Sequence, residues 1–147
     1  GNNAVLTDNH VNTGGVCPGT HDKITLADCW ETGASEKEKA TAASYLPLPP
    51  CKPTAKEVAA VKTAAARTAL LRAALGSVAD RAIIPMYDWL GLGAEAHLNT
   101  PGKLGGNWAW RAKAGFDSKA LAAQIKAECA VYCRCNADVQ NVKELAI

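Results

Sequence analysis

The sequence predicts an α/β fold with parallel strands, because short apolar segments alternate with longer stretches of helical pattern. Val16–Cys17 could end a first strand, and the apolar run Ala82–Ile84 has the length of a second. An alanine-rich helical segment separates the two, and another helical pattern follows Asp117. Strands and helices that alternate in this order usually place their strands side by side in one parallel sheet.

The first third of the chain is expected to be mostly irregular. Residues 1–15 are rich in Asn, Gly and Thr, which is typical of a loop before the first strand. Residues 33–53 combine small, charged and proline residues. This composition predicts a short helix near Glu36–Ala43, followed by a proline-stiffened linker.

The strongest helix signal begins at Thr54. The Thr54 hydroxyl can accept the Glu57 backbone N–H while the Glu57 side chain reaches back, which is a capping box. Apolar residues then recur at near-helical spacing, namely Val58, Val61, Leu71, Ala74, Leu75 and Val78. Gly76 weakens the helix interior, so the region is predicted to hold one long helix or two.

The last strand and the last helix have local signals of their own. The apolar run Ala82–Ile84 suits a strand buried on both faces, and Pro85 is tolerated at its end. Asp117 is placed to cap the final helix, and Phe116 is spaced from Leu121 as a hydrophobic staple. Helical spacing continues through Leu121, Ile125, Cys129 and Tyr132.

Length and composition limit the class of protein. The 147 residues suffice for one domain with a core, and 48% hydrophobic with 20% charged residues is ordinary for a globular chain. A net charge of +2 without a dense basic stripe gives no support for a nucleic-acid partner. No apolar run has the length of a membrane span, and residues 1–15 resemble neither a signal nor a transit peptide. We therefore expect no nucleic-acid or membrane partner.

The six cysteines raise the question of a metal or disulfide framework. Cys129 and Cys133 are spaced to lie on one helix face, but a second ligand pair with zinc spacing is missing. The remaining cysteines are dispersed along the chain, at Cys17, Cys29, Cys51 and Cys135. Ordinary reduced thiols are therefore favoured over a metal site.

Two polar residues directly after the first strand are the best candidates for chemistry. His21 and Asp22 occur in the segment PGTHD, just beyond the candidate strand end. α/β barrels place their catalytic side chains at this end of their strands. The alternative is a turn that carries a solvated carboxylate.

The loop after the second strand contains two further patterns. Gly91, Gly93 and Ala96 match a dinucleotide-binding fingerprint in spacing, but that fingerprint must open a helix. The following HLNTPGKLGG breaks a helix at once, so we reject a nucleotide site. Trp108 and Trp110 would share one face of an extended chain. They are interpreted either as a stacking platform for sugar rings or as residues that pack the loop against the fold.

Three segments together resemble one enzyme family. GTHD at 19–22, AIIPMYDWLGLG at 82–93 and NTPGKLGGNWAWR at 99–111 are similar to the 4-α-glucanotransferases, the amylomaltase and disproportionating-enzyme family. The resemblance covers about residues 16–32 and 73–134. It implies that residues 1–147 are the C-terminal portion of a (β/α)8 TIM-type barrel, about the last two strand–helix units. Two such units do not close a barrel.

The resemblance also assigns parts to the segments. Residues 1–15 would be a loop, 16–32 would carry the strand-end catalytic motif, and 33–53 would be a linker. Residues 54–147 would supply a helix, the last strand, the substrate loop and the final helix.

Matching residues then receive expected roles. Asp22 would stabilise the transition state by holding two ring hydroxyls of the transferred sugar, and His21 would contact the same sugar. Asn99 would lie near the donor-side sugar. Because indoles stack on sugar rings, Trp108 is also predicted to bind substrate. His97 stands where the family often has arginine, and we interpret it as a tolerated substitution rather than a base.

One departure falls inside the catalytic motif. Lys23 and Ile24 replace two polar residues that follow the family's His-Asp pair. A cation and an aliphatic group therefore border the carboxylate that the resemblance assigns to the transition state.

The implied activity is transfer of an α-1,4-glucan segment to the 4-hydroxyl of another glucan or glucose, by retaining double displacement without metal or organic cofactor. Maltooligosaccharides or starch-derived glucans would be the partners. Members are intracellular, plastidial in plants and algae and cytoplasmic in bacteria. The family's nucleophile and acid lie in segments that nothing here resembles, so this chain alone is expected to be inactive. Two alternatives remain: a non-catalytic maltooligosaccharide-binding remnant, and a metal or redox module built on Cys129, Cys133 and Cys135.

Overall fold

A computed structural model describes residues 14–46 and 61–135. The chain divides into two compact units, Gly1–Ala112 and Lys113–Ile147. In the first unit the elements run from β1 (Gly15–Val16) through α1 (Leu26–Asp28), a π-helical turn (Cys29–Gly33) and α2 (Glu36–Tyr45). They continue with α3 (Thr63–Leu75), β2 (Arg81–Ala82), α4 (Met86–Leu90) and a 3-10 turn (Ala94–Ala96). The second unit contains α5 (Lys119–Val131).

The two strands form a small parallel sheet, as the alternation of strands and helices predicts. Gly15 pairs with Arg81 and Val16 with Ala82. One further backbone hydrogen bond, from Ile83 N–H to the Val16 carbonyl at 2.9 Å, extends the pairing beyond β2. The prediction of a strand over Ala82–Ile84 buried on both faces is wrong. Ile83 is 62% exposed, because nothing in the described parts of the chain covers that side of the two-stranded sheet.

The core of the first unit lies between helices. Trp30 from the π-helical turn packs with small residues of α2 and α3, and its indole N–H donates to the Val61 carbonyl at 3.2 Å. The alanine-rich composition of α3 lets the large indole approach the helix closely. The buried members of this cluster are Trp30, Ala43, Leu46, Ala66 and Ala69. Val16, Ala74 and Ala79 form a second buried cluster under the sheet.

Helix boundaries follow local capping chemistry. The helix predicted near Glu36–Ala43 is present as α2, and Ser35 and Glu38 close a capping box at its start. The predicted start at Thr54 lies outside the described residues. Gly76 does not sit inside a helix but caps the end of α3, so Val78 falls beyond it and is 57% exposed.

The second unit is described from Lys113 to Cys135. Its helix α5 begins after Ser118, whose hydroxyl accepts the Leu121 backbone N–H at 3.2 Å. The prediction that Asp117 caps this helix is therefore wrong by one residue, because the serine side chain already satisfies the free N–H. No helix within the described ranges is both long and apolar enough to cross a membrane.

Candidate functional site

The loop between β1 and α1 carries the first two candidate residues. A tight turn, closed by the Lys23 N–H donating to the Thr20 carbonyl at 3.0 Å, presents His21 and Asp22 at its tip. His21 Nε2 lies 3.2 Å from Asp22 Oδ2, and both side chains are about half exposed. The loop follows directly after β1, so the pair lies at the carboxyl end of a parallel strand, as the sequence predicts.

Asn99 joins this pair from the second loop. Its side-chain amide Nδ2 donates to Asp22 Oδ1, and its backbone N–H donates to the His21 carbonyl at 3.0 Å. One residue therefore holds both the side chain and the backbone of the 21–22 turn, although it lies 77 positions away in the sequence. Both oxygens of the Asp22 carboxylate have a polar neighbour, Asn99 on one and His21 on the other.

Trp108 completes the group. Its indole lies 5.0 Å from the His21 ring between centroids, tilted by 34°, and is 55% exposed. Its backbone N–H donates to the Leu98 carbonyl at 2.6 Å, which brings residue 108 back beside Asn99. The loop between them is closed by Asn107, which accepts from the Thr100 N–H and donates to the Lys103 carbonyl, both at 2.9 Å.

The backbone of Trp108 decides where its ring points. Its φ is +60°, in the left-handed region that few non-glycine residues occupy. This turn breaks the alternation of an extended chain, so Trp108 and Trp110 do not share a face. Trp110 instead meets Tyr87 edge-on at 6.0 Å and packs the loop against α4. The paired stacking platform is therefore wrong, and Trp108 alone is the exposed indole beside His21 and Asp22.

Below the loops lies a buried carboxyl group that the sequence did not indicate as part of the site. Asp88 on α4 is only 1% exposed, and its Oδ1 accepts the Leu26 backbone N–H at 2.8 Å. Burial raises the pKa of Asp88, while the Leu26 hydrogen bond and the Arg67 charge act in the opposite direction. Its neighbour Tyr87 donates its hydroxyl to the Thr20 carbonyl at 3.4 Å, and burial raises the pKa of this phenol too.

Comparison with known proteins identifies the family. The model of the family described as 4-alpha-glucanotransferase matches residues 1–117. The chain belongs to the 4-α-glucanotransferase family. The chloroplastic/amyloplastic 4-alpha-glucanotransferase of Oryza sativa subsp. japonica is 37% identical over 135 residues, which are 90% of this chain and 20% of that protein. The 4-alpha-glucanotransferase of Clostridium butyricum is 35% identical over 117 residues, 80% of this chain and 22% of that protein.

A solved structure agrees with this assignment. The amylomaltase from Streptococcus agalactiae in complex with acarbose superposes with a TM-score of 0.75 at 26% sequence identity, over 92% of this chain and 25% of that one. The chain thus spans about a fifth to a quarter of the length of the glucanotransferases it matches. The names of these proteins confirm the family that the resemblance implied.

His97, the other residue considered for chemistry, has a different contact. His97 points away from the 21–22 turn, with Nε2 3.1 Å from Asp28 Oδ2. The two atoms are close but do not form a hydrogen bond, because His97 Nε2 has no partner in hydrogen-bonding geometry among the described residues. Asp28 Oδ1 in turn accepts the Thr32 hydroxyl at 2.7 Å. His97 therefore connects its loop to α1, a structural contact in keeping with its interpretation as a substitution.

The cysteines show no metal-binding arrangement in the described part of this chain. No group of three or more His, Cys, Asp or Glu side chains within those ranges is placed to hold a metal ion. Cys129 lies on α5, where burial and then the nearby Cys135 raise the pKa of its thiol. A raised pKa lowers the thiolate fraction, which makes this thiol a poorer nucleophile and metal ligand at neutral pH.

Proposed function

We propose that this chain supplies the transition-state-stabilising part of a 4-α-glucanotransferase that transfers a segment of an α-1,4-glucan to the 4-hydroxyl of an acceptor glucan or glucose. Asp22 holds two ring hydroxyls of the transferred glucosyl unit, and His21 and Asn99 contact sugar at the same place. Trp108 stacks on a sugar ring. The nucleophile and the acid of the retaining double displacement come from outside residues 1–147, so the chain alone does not turn over.

The observation that carries the proposal is the convergence of His21, Asp22, Asn99 and Trp108 at one exposed place. Asn99 touches both residues of the 21–22 turn, and the Trp108 ring lies 5.0 Å from His21. A carboxylate beside an exposed indole is a combination suited to carbohydrates, because the hydroxyls accept and donate hydrogen bonds while the C–H face of the ring stacks.

The chemistry explains why a carboxylate is useful there. A glucosyl unit that leaves its glycosidic oxygen gains oxocarbenium character and its ring flattens. Hydroxyl contacts to Asp22 that tighten as the ring flattens lower the barrier more than they strengthen ground-state binding. Asn99 and His21 hold the two carboxylate oxygens in place, so little reorientation remains when the substrate arrives.

Binding is tested by NMR titration of the 147-residue chain with maltotriose and with acarbose. We expect shifts at the His21 and Asn99 amides and at the Trp108 indole N–H, and none with the β-linked cellotriose. Asp22→Ala should abolish these shifts, whereas Asp80→Ala, an exposed residue directly before β2 in the same unit, should leave them unchanged. Absence of any shift with both α-linked ligands would overturn the binding role.

Catalysis is tested separately by glucose release from maltotriose. We expect none from the 147-residue chain, because no segment in it resembles those that carry the nucleophile and the acid. The same assay on the natural polypeptide from source extract, sized by an antibody against residues 99–116, should show transfer if that polypeptide is several times larger than 15.3 kDa. Transfer by the purified 147-residue chain would contradict the proposal that it is inactive alone.

A further inference from the structure

The buried carboxyl group of Asp88 lies at the base of the loop that carries His21 and Asp22. Its Oδ1 accepts the Leu26 backbone N–H at 2.8 Å, directly after the loop ends and α1 begins. Thr25, the N-cap of α1, uses its own hydroxyl for the Asp28 N–H at 3.2 Å. The first free N–H of α1 therefore depends on a side chain that comes from 62 residues further along the chain.

The other oxygen of the same carboxyl group faces the start of the loop. A Cβ built on Gly19 would lie 3.3 Å from Asp88 Oδ2 and 3.9 Å from the Tyr87 hydroxyl. The Tyr87 hydroxyl also donates to the Thr20 carbonyl. Residues 87 and 88 thus contact the loop on both sides of its tip, at residues 19–20 before the tip and at residue 26 after it. Asp88 Oδ2 itself is buried and has no hydrogen-bond partner among the described residues.

A partly buried arginine holds α4 in turn. Arg67 on α3 donates from Nη1 to the Asp88 carbonyl and to the Trp89 carbonyl, both at 2.8 Å. The helix is capped by Gly91, whose φ is +69° and on which a built Cβ would lie 3.0 Å from Arg67 Nη1. Asp88 is therefore fixed from its own backbone as well as from its side chain, which is what an orienting group needs in order to hold another segment.

We propose that Asp88 is a positioning residue for the loop between β1 and α1. By accepting the Leu26 N–H and packing against Gly19, Asp88 sets where this loop lies. It thereby sets the distance of His21 and Asp22 from Asn99 and Trp108. The residue touches no sugar in this proposal and acts only through the loop. Its effect on glucan binding rests on the proposed function, whereas its effect on the loop geometry does not.

A conservative and a non-conservative variant separate this role from simple stability. Asp88→Asn keeps an acceptor at Oδ1, whereas Asp88→Leu removes it while remaining of similar size. We expect Asp88→Leu to speed hydrogen exchange of the Leu26 amide at least about tenfold and to weaken maltotriose binding by about tenfold. Asp88→Asn should stay within about threefold of the parent in exchange rate and in maltotriose affinity. Asp80→Leu, an exposed residue directly before β2 in the same unit, is the matched control and should change neither.

The geometric readout does not require any ligand. The Trp108 ring current shifts the His21 side-chain protons because the rings are 5.0 Å apart. We expect this shift to collapse in Asp88→Leu and to persist in Asp88→Asn, with the Trp30 indole signal in the core unchanged in both. Gly19→Ala adds a methyl group that presses on Asp88 Oδ2 from the other end of the loop. It should reduce the His21 ring-current shift while the Leu26 amide stays protected from hydrogen exchange. This variant tests the proposal if Asp88→Leu does not fold.

The outcomes separate the two proposals. If the parent chain binds no α-linked ligand but the Leu26 and His21 signals respond as described, the glucan role fails and the positioning role stands. If Asp88→Leu and Gly19→Ala both leave the His21 signals of the parent unchanged, the positioning role is overturned whatever the ligand does. Loss of the His21 signal pattern in Asp88→Asn to the same extent as in Asp88→Leu would also overturn it, because the retained acceptor should rescue the loop.

Discussion

Replacing Arg67 by methionine should destabilise the first unit by an amount that the structure allows one to work out. Nη1 of Arg67 donates to the carbonyls of Asp88 and Trp89, each at 2.8 Å and partly buried. Methionine keeps most of the side-chain volume but leaves the Trp89 carbonyl without this donor and the Asp88 carbonyl with only the Gly91 N–H at 3.2 Å. At about 2 kcal/mol for the Trp89 acceptor that loses its partner and about 1 kcal/mol for the Asp88 acceptor that keeps a second one, the free energy of unfolding should fall by about 3 kcal/mol.

Arg111 provides a control with the same hydrogen-bond pattern in a different environment. It too donates from Nη1 to two carbonyls, those of Trp108 and Trp110, each at 2.8 Å, but at an exposed position. Water can replace the guanidinium there, so Arg111→Met should cost less than about 1 kcal/mol. The comparison therefore isolates burial, because donor, acceptor type and distance are the same in both cases.

Urea denaturation followed by tryptophan fluorescence measures both free energies, and thermal unfolding supplies a second estimate. For a chain of this size a loss of about 3 kcal/mol corresponds to a fall of about 9 °C in the Tm. If Arg67→Met costs no more than Arg111→Met, the reasoning is refuted. The two α4 carbonyls would then be satisfied without Arg67, and α4 would not depend on it for its position.

Three further predictions test other parts of the structure. Asn99→Asp replaces the donor to Asp22 by a second carboxylate. Maltotriose affinity in an NMR titration at neutral pH should therefore fall by about tenfold in low salt and recover partly in about 1 M salt. An equal loss in low and in high salt would contradict an electrostatic cause. Trp30→Phe leaves the Val61 carbonyl without the indole donor and should lower the free energy of unfolding by about 1–3 kcal/mol in urea titrations. An unchanged urea midpoint would show that water replaces the donor. The pKa of Asp88 is raised by burial above its ordinary 3.8, so protonation favours the folded state and stability is gained as the pH falls through the folded-state pKa. The stability of Asp88→Asn relative to the parent should therefore be highest near neutral pH and decline as the pH approaches 3.8, and a constant difference would refute the raised pKa.

The sequence predicted those parts of the fold whose causes are local. The helix near Glu36–Ala43 is present because Ser35 and Glu38 cap it within one turn. The parallel pairing of the strands at Val16 and Ala82 follows from the long helical connection between them. The four candidate residues were predicted from short uncommon segments of the family, and the structure brings those four together.

The remaining features depend on contacts between distant segments. Helix α4 has only five residues, Met86–Leu90, too few for a helical period to show in the sequence. The role of Asp88 requires knowing that the Leu26 N–H lies beside it, and a single sequence does not show that pairing. The separation of Trp108 from Trp110 rests on one backbone angle at residue 108, which no local propensity favours for tryptophan.

Two carboxyl groups within the first unit therefore have opposite surroundings, and the difference accounts for their different parts in the proposed site. Asp22 is 45% exposed at its side chain and has polar neighbours at both oxygens, which suits a group that must meet sugar hydroxyls. Asp88 is almost fully buried, with one oxygen on a backbone N–H and the other in a confined space beside Gly19. A group in that environment gains little from solvent and loses much if its partner moves. The buried carboxyl group is thus suited to fixing a loop, and the exposed one, held by that loop, is suited to contacting a substrate.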